Sequence, residues 1–245
     1  MKKNSLLTYL IVLLWCWAPF ISLNAIPLTV FLGGSPPAVA AATYLRNQNF
    51  EGTGYDNGET WTTSSGSINA DYTTTVLLGS QSLSTDSTSG ASRVRTDFTN
   101  QNEVWGYFLF QIGGSAPAGD RQIFSLAVNA GTTEFCKILL TSARKIRLQT
   151  SGSYYTTDAL TIGTKYHCWW RYKNGTGTAE IEFSFKDASV DAVKPTSGNA
   201  YVLASSLSIS SQAGRIYLGC DQSSAANLYI FDKILIDDVA IGDNP

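Results

Sequence analysis

The sequence predicts an all-β fold, a two-sheet antiparallel jelly-roll sandwich preceded by an N-terminal apolar segment. Three observations carry this. Short runs rich in Val, Ile, Thr and aromatic residues alternate with turn residues, and no helical heptads or long Ala/Glu/Lys/Leu stretches occur. Two acidic segments, Asn49-Phe50-Glu51-Gly52 and Ile236-Asp237-Asp238-Val239-Ala240-Ile241-Gly242, bracket almost everything after residue 42, and both alternate apolar and polar positions as half-buried strands do. Charged residues make up 15% and hydrophobic ones 44%, with 21 Gly, a balance that excludes a disordered or polyionic chain.

A formal net charge of -2 removes the electrostatic case for a nucleic-acid partner, which needs a concentrated basic face. Residues 1–42 stand apart from the sandwich. Lys2 and Lys3 precede an apolar run from Leu6 to Leu14, and no charged residue occurs between Lys3 and Arg46. A basic region followed by an apolar one is the pattern of a signal peptide. It implies that the domain formed by residues 43–245 is secreted, extracellular or held at the cell surface. Cleavage after Ala25 would leave Leu23 where a small residue is preferred; cleavage within Ala38 to Ala42 fits the small-residue rule but makes the signal long. The alternative is an uncleaved membrane anchor, the one route by which this chain would meet a membrane. Against it, Pro19 and Pro27 interrupt the roughly 20 apolar residues that a span needs. Trp15, directly before Cys16, argues against a lipoprotein.

Strand candidates are Tyr44 to Phe50, Ser82 to Thr85, Ser92 to Phe98, Glu103 to Gln111, Gln122 to Val128 and Glu134 to Thr141. They continue with Lys145 to Gln149, Lys165 to Lys173, Ala179 to Lys186, Arg215 to Cys220 and Leu228 to Ile241. Turn chemistry separates them, as at Asn129-Ala130-Gly131 and Asn174-Gly175-Thr176-Gly177. Cys136, Cys168 and Cys220 each lie in an apolar strand pattern. With no C-x-x-C or Cys/His cluster, a zinc site is not expected, and buried thiols are favoured over an oxidised pair.

One hairpin can be laid out in register. Pairing Lys173 with Thr178 sets Arg171 opposite Glu180, Trp169 opposite Glu182, and His167 opposite Ser184. The other face then carries Tyr166, Cys168, Trp170 and Tyr172 against Ile181, Phe183 and Phe185, which is the core side. His167, Trp169, Arg171, Glu180 and Glu182 share the outward face. Asn174-Gly175-Thr176 also matches a glycosylation sequon, but the hairpin turn explains the same three residues.

The run Gly163-Thr164-Lys165-Tyr166-His167-Cys168-Trp169-Trp170-Arg171-Tyr172, its Gly-rich turn and Ala179-Glu180-Ile181-Glu182-Phe183 resemble the central hairpin of laminin-G-like, concanavalin A-like jelly rolls. Gly79-Ser80-Gln81-Ser82-Leu83 and Ile216-Tyr217-Leu218-Gly219 sit where those domains have similar segments. Phe50-Glu51-Gly52 with Ile236-Asp237-Asp238-Val239 is similar to the terminal strands of carbohydrate-binding jelly rolls that hold a structural calcium. The resemblance spans roughly Tyr44 to Pro245 and implies the fold; it does not by itself supply a function.

Glu51, Asp237 and Asp238 are oxygen donors of the kind a calcium ion takes, with Gly52 and Gly54 letting the chain turn around it; the competing reading has these carboxylates capping turns. His167, Trp169 and Arg171, with Trp105 and Tyr107 from another strand, could form a sugar-binding surface. Aromatic faces stack on sugar C–H groups, and Arg171, Glu180 and Glu182 supply planar hydrogen-bonding partners. Against this, outward aromatics often pack under a long loop, and Arg171 can pair across the hairpin. The strand Glu103 to Gln111 is apolar on both faces, so something must cover each side. As an enzyme, the chain would use Glu180 and Glu182, with His167, the only histidine. Jelly-roll glucanases of similar fold carry Glu-x-Asp-x-Glu, whereas this strand reads Glu180-Ile181-Glu182-Phe183-Ser184 and lacks the last acid. The sequence therefore favours an exported, non-catalytic carbohydrate-binding or adhesive module with a glycan partner. A polysaccharide hydrolase or lyase, or a structural surface component of a phage or cell envelope, are the alternatives.

Overall fold

The computed structural model describes residues 44–55, 61–88, 90–150, 152–190, 192–222, 228–243 and 245, so the N-terminal segment expected to be a signal peptide lies outside the described residues. Every regular element among them is a strand. The first seven are β1 (Arg46–Gln48), β2 (Trp61–Ser65), β3 (Ser67–Tyr72), β4 (Ser82–Asp86), β5 (Ser92–Gln101), β6 (Glu103–Ile112) and β7 (Arg121–Ala127). Then come β8 (Glu134–Leu140), β9 (Lys145–Gln149), β10 (Ser153–Ala159) and β11 (Lys165–Lys173). The last four are β12 (Gly175–Asp187), β13 (Tyr201–Ile209), β14 (Ala213–Cys220) and β15 (Leu228–Asp237).

They form two antiparallel sheets. An eight-stranded sheet runs β13-β12-β11-β6-β15-β4-β3, with β1 also paired to β15; a seven-stranded sheet runs β10-β9-β8-β7-β14-β5-β2. The first and last strands lie side by side as the terminal segments predict, with Arg46 opposite Ile236 and Gln48 opposite Ile234. Between the sheets sits one apolar core. From the eight-stranded sheet come the inward residues of the central hairpin (Cys168, Trp170, Tyr172, Ile181, Phe183) with Phe108, Phe110 and Phe231. From the seven-stranded sheet come Val94, Phe124, Ile138, Leu148, Ile216 and Leu218. The layers interlock through rings: Phe124 meets Trp170 with centroids 4.6 Å apart and Phe108 at 6.2 Å. Such pairs add about 0.5–1.5 kcal/mol each beyond the burial of their area. Cys136, Cys168 and Cys220 are free and buried, and burial pushes the Cys136 thiol up to about 12.

The central hairpin keeps its predicted faces but not its predicted register. Lys173 pairs with Glu180, Arg171 with Glu182, Trp169 with Ser184 and His167 with Lys186. The slip is two residues, so every side chain keeps its side of the sheet; a slip of one would have exchanged core and surface. Its cause lies in the turn. The hairpin ladder runs without a break up to the Lys173–Glu180 pair, so residues 174–179 all belong to the turn, two more than a turn closed at Thr178 would hold.

Gly106, opposite Trp170 on β11, shows how tight the packing is: a Cβ there would fall inside the Trp170 indole. Gly106→Ala must push a buried ring off its rotamer, and overpacking of this kind costs about 1–3 kcal/mol or more. Urea unfolding should show a lower midpoint with an unchanged slope. An unchanged midpoint would mean that the indole has room to move.

Candidate functional site

The outer face of the eight-stranded sheet is where sequence reasoning places the ligand site, and the register fixes what stands there. Across β11, β6 and β15, His167 lies beside Leu109 and Asp232, then Trp169 beside Tyr107 and Leu235, then Arg171 beside Trp105 and Asp237. The structure brings Tyr107, His167 and Trp169 together as three mutually touching rings, 5.6 to 5.8 Å apart. It does not leave them open. Trp169 is 1% exposed and packs with Leu77, Tyr107, Ala192, Leu235 and Ile241 in a second apolar cluster on the outside of the sheet. Its indole N–H donates to the Gly242 carbonyl at 3.3 Å. The stacking role expected of Trp169 is therefore corrected. β6 is apolar on both faces, and segments following β12 and β15 roof the outer one.

The polar members of the predicted set are paired with one another. Arg171 donates to Glu103 at 2.7 Å, forms an ion pair with Glu180 at 2.9 Å, and lies 5.9 Å from the Trp105 ring centroid. Glu182 is held by Lys194 at 2.6 Å. Arg171, Glu180 and Glu182 thus bind the sheet and its covering segment together, and neither Glu180 nor Glu182 stands as a free acid.

The terminal carboxylates do not converge. Antiparallel pairing of β1 with β15 puts Asp237 at the Leu45 end of β1 and Glu51 at the other, on the order of 15–20 Å away at about 3.3 Å per residue. The Glu51 carboxylate accepts from the Ser80 amide (3.0 and 3.1 Å) and hydroxyl (2.8 Å). The Gln81 amide, oriented with its nitrogen toward them, donates to the carbonyls of Phe50 and Gly52. The Asp237 carboxylate accepts from the Asp238 amide at 2.8 Å, and burial together with Asp238 raises its pKa. The register does not bring Glu51 together with Asp237 and Asp238, the three residues expected to share one calcium. No cluster of three or more His, Cys, Asp or Glu residues suited to a metal exists among the described residues.

The unclaimed chemistry lies on the other sheet. Along β9, Lys145-Ile146-Arg147-Leu148-Gln149 alternates perfectly, sending Ile146 and Leu148 into the core and Arg147 and Gln149 outward. Register places Arg147 between Leu139 on β8 and Tyr155 on β10, and Gln149 beside Lys137. A cleft of about 430 Å³ opens on this face. Ion pairs frame it: Arg147 with Asp120, Lys137 with Asp221 (2.9 Å) and Glu134 (3.6 Å), and Arg93 with Glu134 (2.6 Å). On its floor Gln122 is fully buried; its amide nitrogen donates to Ser125 at 2.9 Å, while its carbonyl oxygen has no partner among the described residues. Glu134 Oε2 makes no hydrogen bond among the described residues, but the Lys137 ammonium lies 3.6 Å from it. At the rim Tyr155 is 51% exposed, with the Arg147 guanidinium 5.6 Å from its ring centroid. Sequence reading recognised β7, β8 and β9 as strands but passed over their outward faces. The alternation in β9 was the available signal.

No protein-family model matches the chain, and no curated protein matches it. Among solved structures it is similar to a cellulose induced protein, Cip1, at 15% identity and a TM-score of 0.49, covering 74% of this chain and 88% of that one. A sialidase matches at 13% identity and 0.49, covering 66% of this chain but only 16% of its own length. The exoplasmic/lumenal domain of VIP36 in its metal-free form matches at 9% and 0.45, covering 79% and 91%. Likeness of this degree transfers no activity or ligand.

Two consequences of the covered face can be measured. Trp169→Ala should cost about 3–5 kcal/mol, as removing a buried large ring does, and denaturant unfolding should show it; a variant as stable as the parent would mean that the roof collapses onto the gap. The second concerns Asp232, fully buried beside Tyr107, whose carboxyl is pushed up to about 6 chiefly by burial, with the Glu51 charge adding to the effect. An unfolded Asp titrates near about 3.9, so the folded state holds this proton more tightly. Its contribution to stability is greatest below about pH 4 and is lost as pH rises through about 6. In Asp232→Asn that dependence vanishes, so the difference in melting midpoint between variant and parent should grow in the variant's favour from acid to neutral pH. Parallel profiles would show that Asp232 does not titrate in this window.

Proposed function

We propose that this chain is an exported, non-catalytic glycan-binding module whose binding face is the outer surface of the seven-stranded sheet. The observation that carries this reading is the exposed Tyr155 ring beside a polar cleft whose buried Gln122 carbonyl oxygen has no partner. A sugar offers an apolar C–H face to an aromatic ring and a fringe of hydroxyls to planar polar groups. Tyr155 provides the ring. Arg147, Gln149 and Lys137 donate, Glu134 accepts, and the Gln122 carbonyl oxygen is an acceptor without a donor. Leaving buried acceptors unmet costs free energy, and a sugar hydroxyl would relieve that cost. The ion pairs hold these groups in place before the ligand arrives, which reduces what ordering would cost on binding.

Glycan-array retention tests this reading. Tyr155→Ala should weaken binding about two- to tenfold, the worth of one stacking contact. Its melting transition should stay in place, because the ring is half exposed. Lys137→Ala should also lose retention. A parent protein that retains no glycan, or a Tyr155→Ala variant that binds unchanged, would overturn the proposal. Release of reducing ends from a bound polysaccharide would reassign the face to a hydrolase using the carboxylates of the cleft.

A further inference from the structure

A second opening, of about 380 Å³, lies on the outer face of the eight-stranded sheet and differs in chemistry from the cleft just described. Its walls are apolar, from Leu109 and Val190 among others. Its polar groups are Tyr107, His167, Lys165 and Lys233. The Lys165 ammonium donates to the Leu77 carbonyl at 2.8 Å, and the Lys233 ammonium donates to a main-chain oxygen of Pro245. Lys165 makes no side-chain ion pair among the described residues. Lys186 stands directly opposite His167 on β12, adding a third cation. Asp232 is the acidic residue that register brings closest. Its carboxylate faces the other way, accepting from the Leu78 amide (2.9 Å), the Ser82 hydroxyl (2.9 Å) and the Lys233 amide (2.7 Å). Lys165 and Lys233 in its lining, with Lys186 beside them, give the pocket its cationic character.

Two further features show that the pocket is built. The first is a β-bulge in β15. Asp232 pairs with Leu109 and Leu235 with Tyr107, so two residues of β15, Lys233 and Ile234, stand against one of β6. Lys233 takes a left-handed φ of 45° at this point. Strict alternation would send Lys233 into the core. The bulge turns it outward beside Asp232 and returns Ile234 to the core, and bulges are a recurrent device for re-aiming a side chain. A left-handed non-glycine residue inside a strand is a strained choice, of a kind that recurs where function requires it.

The second is the state of His167. Its Nδ1 lies 2.6 Å from the Tyr107 hydroxyl. Burial raises the Tyr107 pKa well above the ordinary phenol value, so the hydroxyl keeps its proton. Burial and the three lysines lower the His167 pKa, leaving the imidazole neutral near pH 7. In the tautomer whose Nδ1 accepts from Tyr107, the ring proton sits on Nε2, and no described residue accepts from it. That tautomer offers the pocket one neutral N–H donor beside its lysines and apolar wall.

We propose that this pocket binds a small organic carboxylate the size of a single sugar acid, its carboxylate between Lys165 and Lys233 and its oxygen on His167 Nε2–H. Two point charges and one neutral donor suit a singly charged, flat group. Lysines also hold phosphate as point charges, but the pocket has no arginine fork, and inorganic phosphate has no apolar face to set against its wall. The apolar wall at Leu109 and Val190 suits the C–H face of a ring.

The chain contains one histidine, so its imidazole NMR signals report on this pocket alone. Titration with D-glucuronate should shift them saturably, and the affinity should fall as salt is raised. Glucose should leave them in place, and inorganic phosphate should bind at least tenfold more weakly. A trimer of galacturonate should bind more tightly than the monomer if the acid belongs to a polysaccharide, and less tightly if the free acid is the ligand. Lys165→Gln and Lys233→Asn should each weaken glucuronate binding about tenfold. Asn tolerates the left-handed φ, and Lys165→Arg, which keeps the charge, should bind nearly as the parent does. Tyr155→Ala, on the opposite sheet, should leave the titration unchanged, so loss of the glycan reading would not remove this site. No shift with glucuronate, an equal shift with glucose, phosphate bound as tightly as glucuronate, or lysine variants of undiminished affinity would each overturn the proposal.

Discussion

The structure depends on β6 having two apolar faces. Phe108 and Phe110 point into the core, while Tyr107 and Leu109 point out, and all four are buried. A strand in the middle of a sheet satisfies its backbone through its neighbours, but its outward apolar side chains still need a cover. That cover comes from this same chain. Segments after β12 and β15 bring Ala192 and Ile241 onto Tyr107, Leu109 and Trp169, and Gly242 accepts from the Trp169 indole. Burial of these side chains, at about 25 cal/mol per Å² of apolar area, is what holds the covering segments down. Lys194 to Glu182 and Arg171 to Glu103 and Glu180 fasten the polar rim.

Once one outer face is committed to packing, open surface chemistry shifts to the other sheet. The two outer faces differ accordingly. On the eight-stranded sheet, the central aromatic residues lie under a roof, and the corner at His167 opens to solvent. On the seven-stranded sheet, outward positions carry Arg93, Asp97, Glu134, Lys137, Arg147, Gln149 and Arg215, with no apolar cluster above them. Arg215 holds the Asp97 carboxyl below its ordinary range. Arg93 lies 4.5 Å from the Tyr217 ring centroid. Paired, pre-positioned charges over a packed layer suit recognition of a hydroxyl-rich ligand better than a buried indole does.

The sequence made the interior strands legible and the edges illegible, for one reason. The strands that periodicity missed are β2, β3, β10 and β13, the end strands of the two sheets; β1, which pairs only with β15, is also an edge but carries the apolar alternation that was read. An edge strand needs little apolar character. Trp61-Thr62-Thr63-Ser64-Ser65 and Ser153-Tyr154-Tyr155-Thr156-Thr157-Asp158-Ala159 read as polar loops because only one or two of their side chains enter the core. Interior strands such as β9 and β11 were read to the residue. The site was harder still. Alternation assigns faces, and it did so correctly through the central hairpin, but outward does not mean exposed. Whether Trp169 met solvent or a covering segment depended on residues more than twenty positions away in sequence. The Glu51 and Asp237 pairing failed differently: adjacency of two strands was legible, but antiparallel direction sends their far ends apart.

The bulge at Lys233 marks the boundary of what period-two reasoning can reach. A regular strand offers one residue in two to each face, so placing Asp232 and Lys233 together on one face requires an irregularity that no local composition announces. Neither Gly nor Asn marks the position, and the left-handed φ falls on a lysine. Local preference and observed conformation disagree here, and the surrounding packing enforces the result: Phe231 and Ile234 both reach the core on either side. A conflict of this kind persists in an otherwise regular strand when the side chain it re-aims is needed where it lands. It lands beside His167 and Lys165, at a corner of the covered face that the roof leaves open.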